Sequence, residues 1–416
     1  MRVDIPYGTG FLPIHVNEPI RASLITPMSV TPQNEPSKLI HDSIAQYGQF
    51  TKIAKSMDQS STFAIVVDSP ELSPNSPSLL NAILSSLKSL AVTPNLVTII
   101  VTSSVYSSRN IGALDELLGS PTLADYALVV HNPDDVQTLR EIGKTNQSTP
   151  ISLNSHYVDA DYRITAGTVL QDVFRSATGG GSSILPGISG MKTISRNQKL
   201  MATKEIGSFN QDSLVFSNIV EAAQMCIPDV NVSIVEDWKS SIAHISIGGI
   251  ITSWKEAIKA AQRIATIQSI PKADIGLVGA GGNLHDSTLC DALTALATGY
   301  SITRQGGTII LMAECPDGPG PDGFIQSVSS AKSENDVVVN AEIGFQSGME
   351  RARLLWQTLG SRNLILCSRI RSSLVSEKLH CTPVQDPNDG LEIAIRNHGS
   401  NCQVAILPNA SRTYLE

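Results

Sequence analysis

Residues 62–68, TFAIVVD, are a short β-branched run that ends in an acid and a Pro-rich turn, SPELSPNSP, before a helical stretch at 78–90. Strand, polar loop and helix in that order build a parallel sheet, because a parallel neighbour is reached only through a long crossover. The unit recurs. LVTIIVT at 96–102 precedes the loop SSVYSSRN and a helical 111–118; YALVVH at 126–131 precedes NPDD, an expected helix over 136–142 and a strand at 150–154. Parallel sheets bind ligands beyond the carboxyl ends of their strands, so the loops opening after these three strands are expected on one edge.

The pattern continues too long for one core. At 416 residues and about 150 residues per domain, two large α/β domains are the default. YRITAGT at 162–168 is a strand, 199–207 and 217–225 read as helices, and 247–250 precedes an amphipathic helix over 254–266. Pro271 stops that helix, and a fresh unit follows: DIGLV at 274–278, the loop GAGGNLHD, a helix at 288–298 and the apolar strand 308–313. GAGG after a strand is only part of a dinucleotide fingerprint, since the six-residue spacing is incomplete and no acid stands at the ribose position. A helix at 349–359, a strand at 363–368, a helix at 372–379 and a strand at 402–407 complete the chain. The expected domains are therefore 1–267, with 404–416 returning to it, and 272–403, hinged at 268–272.

Composition excludes several classes. A formal net charge of −8, with Lys and Arg scattered, offers no stripe for a nucleic acid. No apolar run approaches the roughly 20 residues of a membrane span, and the first residues lack a signal-peptide core, so a cytoplasmic protein with a small-molecule ligand is expected. Six cysteines stand apart with no C-x-x-C spacing, which fits reduced thiols and argues against a metal site.

The stretch from Gly179 to Ser189, GGGSSILPGIS, is the most distinctive one. Gly179, Gly180 and Gly181 carry no Cβ, so their amides can turn toward one point, and Ser182 and Ser183 add hydroxyls. A surface turn and a phosphate cradle are both open on that pattern.

Taken with PYG at Pro6, HNPDD at His131, STPISLN before DADYRITAG, SILPGISGMKTI, GAGGNLHD and GGTIILMAE, the chain resembles the nickel-pincer lactate racemases over nearly its whole length. The resemblance implies two α/β domains with parallel-type sheets and a cleft between them, holding a pyridinium mononucleotide that carries nickel. Racemising a 2-hydroxy acid by hydride transfer also needs two bases, a cation for the carboxylate and a nickel ligand. Here the matching positions depart from the family. The tether lysine is Ser182, the two base histidines fall on Val105 and Asp172, and the nickel-ligating histidine falls on Gln198. The Asp-x-Thr-Arg-x-x-Pro motif keeps Asp68 and Pro74 but puts Pro70 and Glu71 where Thr and Arg belong, and the Gln and Lys of the second domain fall on Asp291 and Thr294. Glu71 in place of Arg turns an attraction for lactate into a repulsion.

Candidate chemistry is thus reduced to Asp68, Glu71, Asp172 and His285 as acids or bases, residues 179–183 as the cofactor or phosphate site, and Asp291 and Thr294 as substrate contacts. Solvated loop carboxylates and helix caps are the alternative for the acids. The cofactor is unknown and no metal ligand set is visible. The first reading is a lactate-racemase-family protein with a degenerate site that binds a phosphorylated or nucleotide-like molecule in the cleft and does not racemise lactate. The second is a working isomerase, a 2-hydroxy-acid racemase or epimerase with an untethered cofactor and Asp172 as its base; a structural partner of an active paralogue is a third.

Overall fold

The computed structural model describes residues 1–32, 35–69, 73–102, 123–204, 211–267, 270–283 and 285–415. Glu71, Val105 and the helix expected at 111–118 lie outside the described residues, as does part of the hinge. The chain divides into two compact units. One is Ser29–Asn197 with Phe209–Ile264; the other joins Met1–Met28, Gln198–Ser208 and Ala265–Glu416.

The amino terminus therefore departs from the expected bounds. Strands β1 (Arg2–Tyr7) and β2 (Gly10–His15) form an antiparallel hairpin, and β3 (Arg21–Leu24) joins the sheet of the C-terminal unit. Ile5, Ile14 and Val16 of this segment are buried in that unit's core, which is the physical reason it belongs there.

The 29–264 unit is built on a six-stranded sheet. Strands β4 (Phe63–Val67), β5 (Val97–Val101) and β6 (Ala127–Val130) run out on one side in sequence order. Residues 136–142, expected as a helix, are not one. Asp135 accepts a bond from the Gln137 amide at 3.1 Å and caps a single 3-10 turn, Val136–Thr138, after which β7 (Leu139–Lys144) pairs antiparallel with β8 (Pro150–Asn154). Cross-strand pairing outweighs the local cap.

Strand β9 (Tyr162–Thr168) then returns to the other side of β4, and the short hairpin β10 (Gln171–Asp172) and β11 (Ser176–Ala177) leads into the glycine stretch. Beyond β9 lie parallel β12 (Val230–Glu236) and antiparallel β13 (Ile242–Gly248). Every residue of β4 is buried, as a strand covered on both faces requires. Helices Pro36–Gln46 and Ser76–Ser89 contribute to the core on one face, while Trp254, on helix Ile250–Ala265, is wholly buried.

After β14 (Thr266–Ile267), the C-terminal unit sets β15 (Ala273–Gly279), β16 (Thr303–Met312), β17 (Asn363–Cys367) and β18 (Thr382–Val384) side by side in parallel. Strand β19 (Gln403–Leu407) lies on the other side of β15, between it and β3, and β20 (Tyr414–Leu415) pairs with β14. The tail at 404–416 thus stays in its own unit instead of returning to the first, because β19 is an interior strand of this sheet. No helix among the described residues is long and apolar enough to cross a membrane.

Candidate functional site

Each sheet reverses its strand order once, between β4 and β9 in one unit and between β15 and β19 in the other. Such a reversal leaves a crevice at the carboxyl ends, because the loops leave in opposite directions. The sequence-derived candidates sort onto these two places.

In the 29–264 unit, Asp68 is the first residue beyond β4. Its amide still donates to Ala166 O at 3.2 Å, but the Thr168 amide donates at 3.1 Å to the Asp68 Oδ2, where a regular ladder would offer a backbone carbonyl. The carboxylate ends the ladder and parts the two strands. Gly167 is required beside it, since a Cβ there would overlap the Asp68 carboxylate. Ser183 donates its hydroxyl to Asp68 Oδ1 at 3.1 Å, so the structure brings these two candidates together.

The glycine stretch has a packing reason as well. Gly179 and Gly180 have φ of +64° and +47°, a region that favours glycine. A Cβ on Gly180 would overlap the indole of Trp254, and one on Gly181 would stand 2.6 Å from its Cζ3. The Trp254 Nε1 donates to Thr178 O at 2.9 Å and holds the ring there. Ser182 donates its single proton to Ala177 O at 2.7 Å, so neither serine hydroxyl is available as a donor to a phosphate. The backbone differs: the amides of buried Gly179, Gly180 and Gly181 donate to no acceptor among the described residues.

Asp172 sits in a turn of its own making. It accepts from the amides of Phe174 and Arg175 at 2.8 and 2.9 Å and from the Arg175 guanidinium at 2.8 Å. His131, in the NPDD loop after β6, is buried and neutral. Its Nε2 donates to Ser189 O at 2.9 Å while Nδ1 accepts from Asn154 at 3.2 Å, and burial holds its pKa below the ordinary value.

In the C-terminal unit, the GAGG loop after β15 meets the turn after β19. Arg412 donates to His285 Nε2 at 3.1 Å, and burial first, then the Arg412 charge, push the imidazole pKa down to about 3. The ring is neutral and its Nε2 lone pair already occupied. Asp286 accepts from the amides of Gly8 and Glu314 at 2.8 and 3.1 Å, pinning the β1–β2 turn to the sheet. Asp291 completes a capping box with Thr288, exchanging bonds of 3.2 Å between each backbone and the other's side chain at the start of helix Leu289–Ile302. Thr294 accepts from Arg351 at 3.5 Å. Burial pushes the thiols of Cys290 and Cys315 far up, which leaves them protonated and inert.

A lactate racemase N-terminal domain model matches residues 7–208 and a lactate racemase C-terminal domain model matches 267–412. The chain belongs to the lactate racemase family. Lactate racemase of Thermoanaerobacterium thermosaccharolyticum is 21% identical over 323 residues, 75% of each chain, and that of Lactiplantibacillus plantarum 22% over 298 residues, 70% of each. The structure of the T. thermosaccharolyticum lactate racemase apoprotein superposes with a TM-score of 0.83 over 100% of both chains at 20% identity. A Thermotoga maritima protein gives 0.70 at 12% identity, over 94% of this chain and 100% of its own. These likenesses confirm the mixed α/β fold.

The resemblance sets Ser182 and Gln198 at the tether and nickel-ligand positions of its nickel-pincer nucleotide. Ser182 offers a committed hydroxyl in place of an amine, and Gln198 directs its Nε2 toward Glu350 at 3.5 Å. An amide is a poor ligand for a soft-bound nickel. Among the described residues no group of three or more His, Cys, Asp or Glu could hold a metal.

Two features escaped sequence reasoning. Trp254, in a chain with three tryptophans, shapes the glycine stretch from far along the chain. Ser69, Thr168 and Gln171 line the parted strand ends, and their position beyond parallel strands was the available signal.

Proposed function

We propose that this lactate-racemase-family protein does not racemise lactate and instead binds a phosphorylated or nucleotide-like small molecule at the carboxyl edge of the β4–β9 crevice. The observation that carries the ligand is the set of three buried glycine amides without acceptors at Gly179, Gly180 and Gly181. Buried amides are nearly always paired, and successive amides in a positive-φ turn suit an anionic oxygen cluster. Asp68 opposes that charge, and the serine hydroxyls do not assist. Binding is therefore expected to be weak, with Kd in the range of about 10 μM to 1 mM.

The loss of racemisation follows from what the substituted positions do. Asp172 stands where a base would, but a carboxylate already holding two amides and a guanidinium is stabilised as the anion and makes a poor proton acceptor. Ser182 and Asp291 are likewise committed to bonds within the fold. The resemblance also sets Glu71 where the family has Arg, a charge of the wrong sign for lactate. The same commitment of Asp172 speaks against the alternative of an untethered-cofactor racemase.

Thermal shift of the full chain against orthophosphate, AMP and nicotinate mononucleotide, at constant ionic strength, should raise Tm at millimolar ligand. No shift with any of the three would reduce the cradle to a packed turn. Incubation with D-lactate or L-lactate, with the pincer cofactor supplied, should leave each enantiomer unchanged; interconversion would reinstate the racemase reading.

A further inference from the structure

Four polar atoms in the connection between β4, β9 and the glycine stretch have no hydrogen-bond partner among the described residues. They are the Ser69 hydroxyl, the Thr168 hydroxyl and both ends of the Gln171 carboxamide. The residues are 0%, 2% and 8% exposed. A buried hydroxyl or amide left unpaired is a net loss to the fold, so a run of them asks for a partner that the protein itself does not supply.

Their placement is shared. Thr168 is the last residue of β9 and Ser69 follows Asp68, so both stand where the Asp68 carboxylate parts the strands. Gln171 begins the β10–β11 hairpin, which Thr178 ties back by donating its hydroxyl to Thr168 O at 2.7 Å and accepting the Leu170 amide at 2.8 Å. A Cβ on Gly179 would lie 3.0 Å from Thr168 O, so the end of β9 and the start of the glycine stretch run against each other.

The chemistry of the set is specific. Hydroxyls and a carboxamide both donate and accept, and so match groups that do the same. Within 167–183 the one Lys or Arg, Arg175, is bound to Asp172, and Asp68 supplies negative charge. A second anionic centre is repelled here, whereas hydroxyl groups are welcome. We propose that Ser69, Thr168 and Gln171 recognise an uncharged, hydroxyl-rich segment, so that the ligand is a phosphorylated sugar or polyol; this rests on the reading that the glycine amides hold its phosphate.

Calorimetric titration of the full chain with orthophosphate, methyl phosphate and sorbitol 6-phosphate tests it. Sorbitol 6-phosphate should bind at least about tenfold more tightly than methyl phosphate, and Thr168→Val and Ser69→Ala should each cut that preference by about 2- to 10-fold while methyl phosphate is unaffected. Both variants should keep or raise the Tm of the unliganded protein, because the hydroxyl removed has no partner to lose. Equal affinity for the two esters would show that the side chains hold only ordered water, and a preference that survives in both variants would place the polyol elsewhere; either overturns the proposal with phosphate binding intact. Failure of all three compounds to bind overturns the phosphate reading and this one with it.

Discussion

Gly180 shows how far a single residue was readable. Three glycines before two serines mark a special backbone, and the positive φ values bear that out. The sequence pattern leaves a surface turn and a phosphate cradle both open, and neither foresees the Trp254 indole that fills the space a side chain would need. Gly180→Val is expected to destabilise the protein by more than about 2 kcal/mol, from overlap with a ring in a wholly buried position and from strain at φ +47°. Denaturant unfolding checks this, and an unchanged midpoint would mean that Trp254 moves aside freely. His285 stands in the sequence as a loop histidine or a base alike, and its partner is hidden there because Arg412 lies 127 residues further on. A histidine whose folded pKa is about 3, against about 6.5 unfolded, resists protonation that the unfolded chain accepts. Its stabilising contribution is full above pH 6.5 and is lost as pH falls from there toward 3, and the lowered pKa of His131 acts in the same direction. Tm should accordingly drop between pH 7 and pH 5, and less steeply in His285→Gln; parallel profiles for the two proteins would contradict the assignment.

Among elements, strands were the legible ones. The runs at 62–68, 96–102, 126–131 and 162–168 all appear within a residue or two of β4, β5, β6 and β9, because buried parallel strands concentrate β-branched residues. Helices fared less well where their cues are polar. Helix Pro387–His398 starts with Asp386 as its cap and Pro at the first position, a readable signal that the reading passed over. Strand β12, VNVSIVE, was also missed, although every residue in it is buried. Asp291, weighed in the sequence as a substrate contact or a helix cap, serves as a cap here. Thr288 and Asp291 stand three apart at a helix start, which is the spacing of a capping box. Thr288→Ala should cost about 1 kcal/mol, and Asp291→Ala should cost a similar amount without adding fully to it, since both remove one reciprocal unit. Chemical denaturation of the two single variants and the double variant checks this. Full additivity would show that the two residues act independently.

At the scale of the whole molecule, the two compact units divide between Ile264 and Ala265, and residues 1–28 and 404–416 both fall in the unit that holds 265–416. Nothing local in residues 1–28 or 404–416 announces a partner hundreds of residues away, and only the assembled sheet shows that β3 and β19 complete it. The consequence is testable with the fragment that the sequence alone recommends. Residues 272–403 would keep β15 to β18 but lose almost all of β19, exposing the buried face and edge of β15 along Ile275, Leu277 and Val278. They would also lose the hairpin residues Ile5, Ile14 and Val16, which share a core with Leu277, Ile310 and Leu391. Removing that much apolar cover costs an amount comparable with the whole of the 5–15 kcal/mol by which domains are typically stable. The isolated fragment should therefore show no cooperative thermal transition and should bind a hydrophobic dye. A second fragment, with residues 1–28 linked ahead of 265–416, restores β3, β19 and the hairpin and should recover a cooperative transition. Cooperative folding of 272–403 by itself would mean that the strand-order reversal at β15 and β19 is dispensable to this unit.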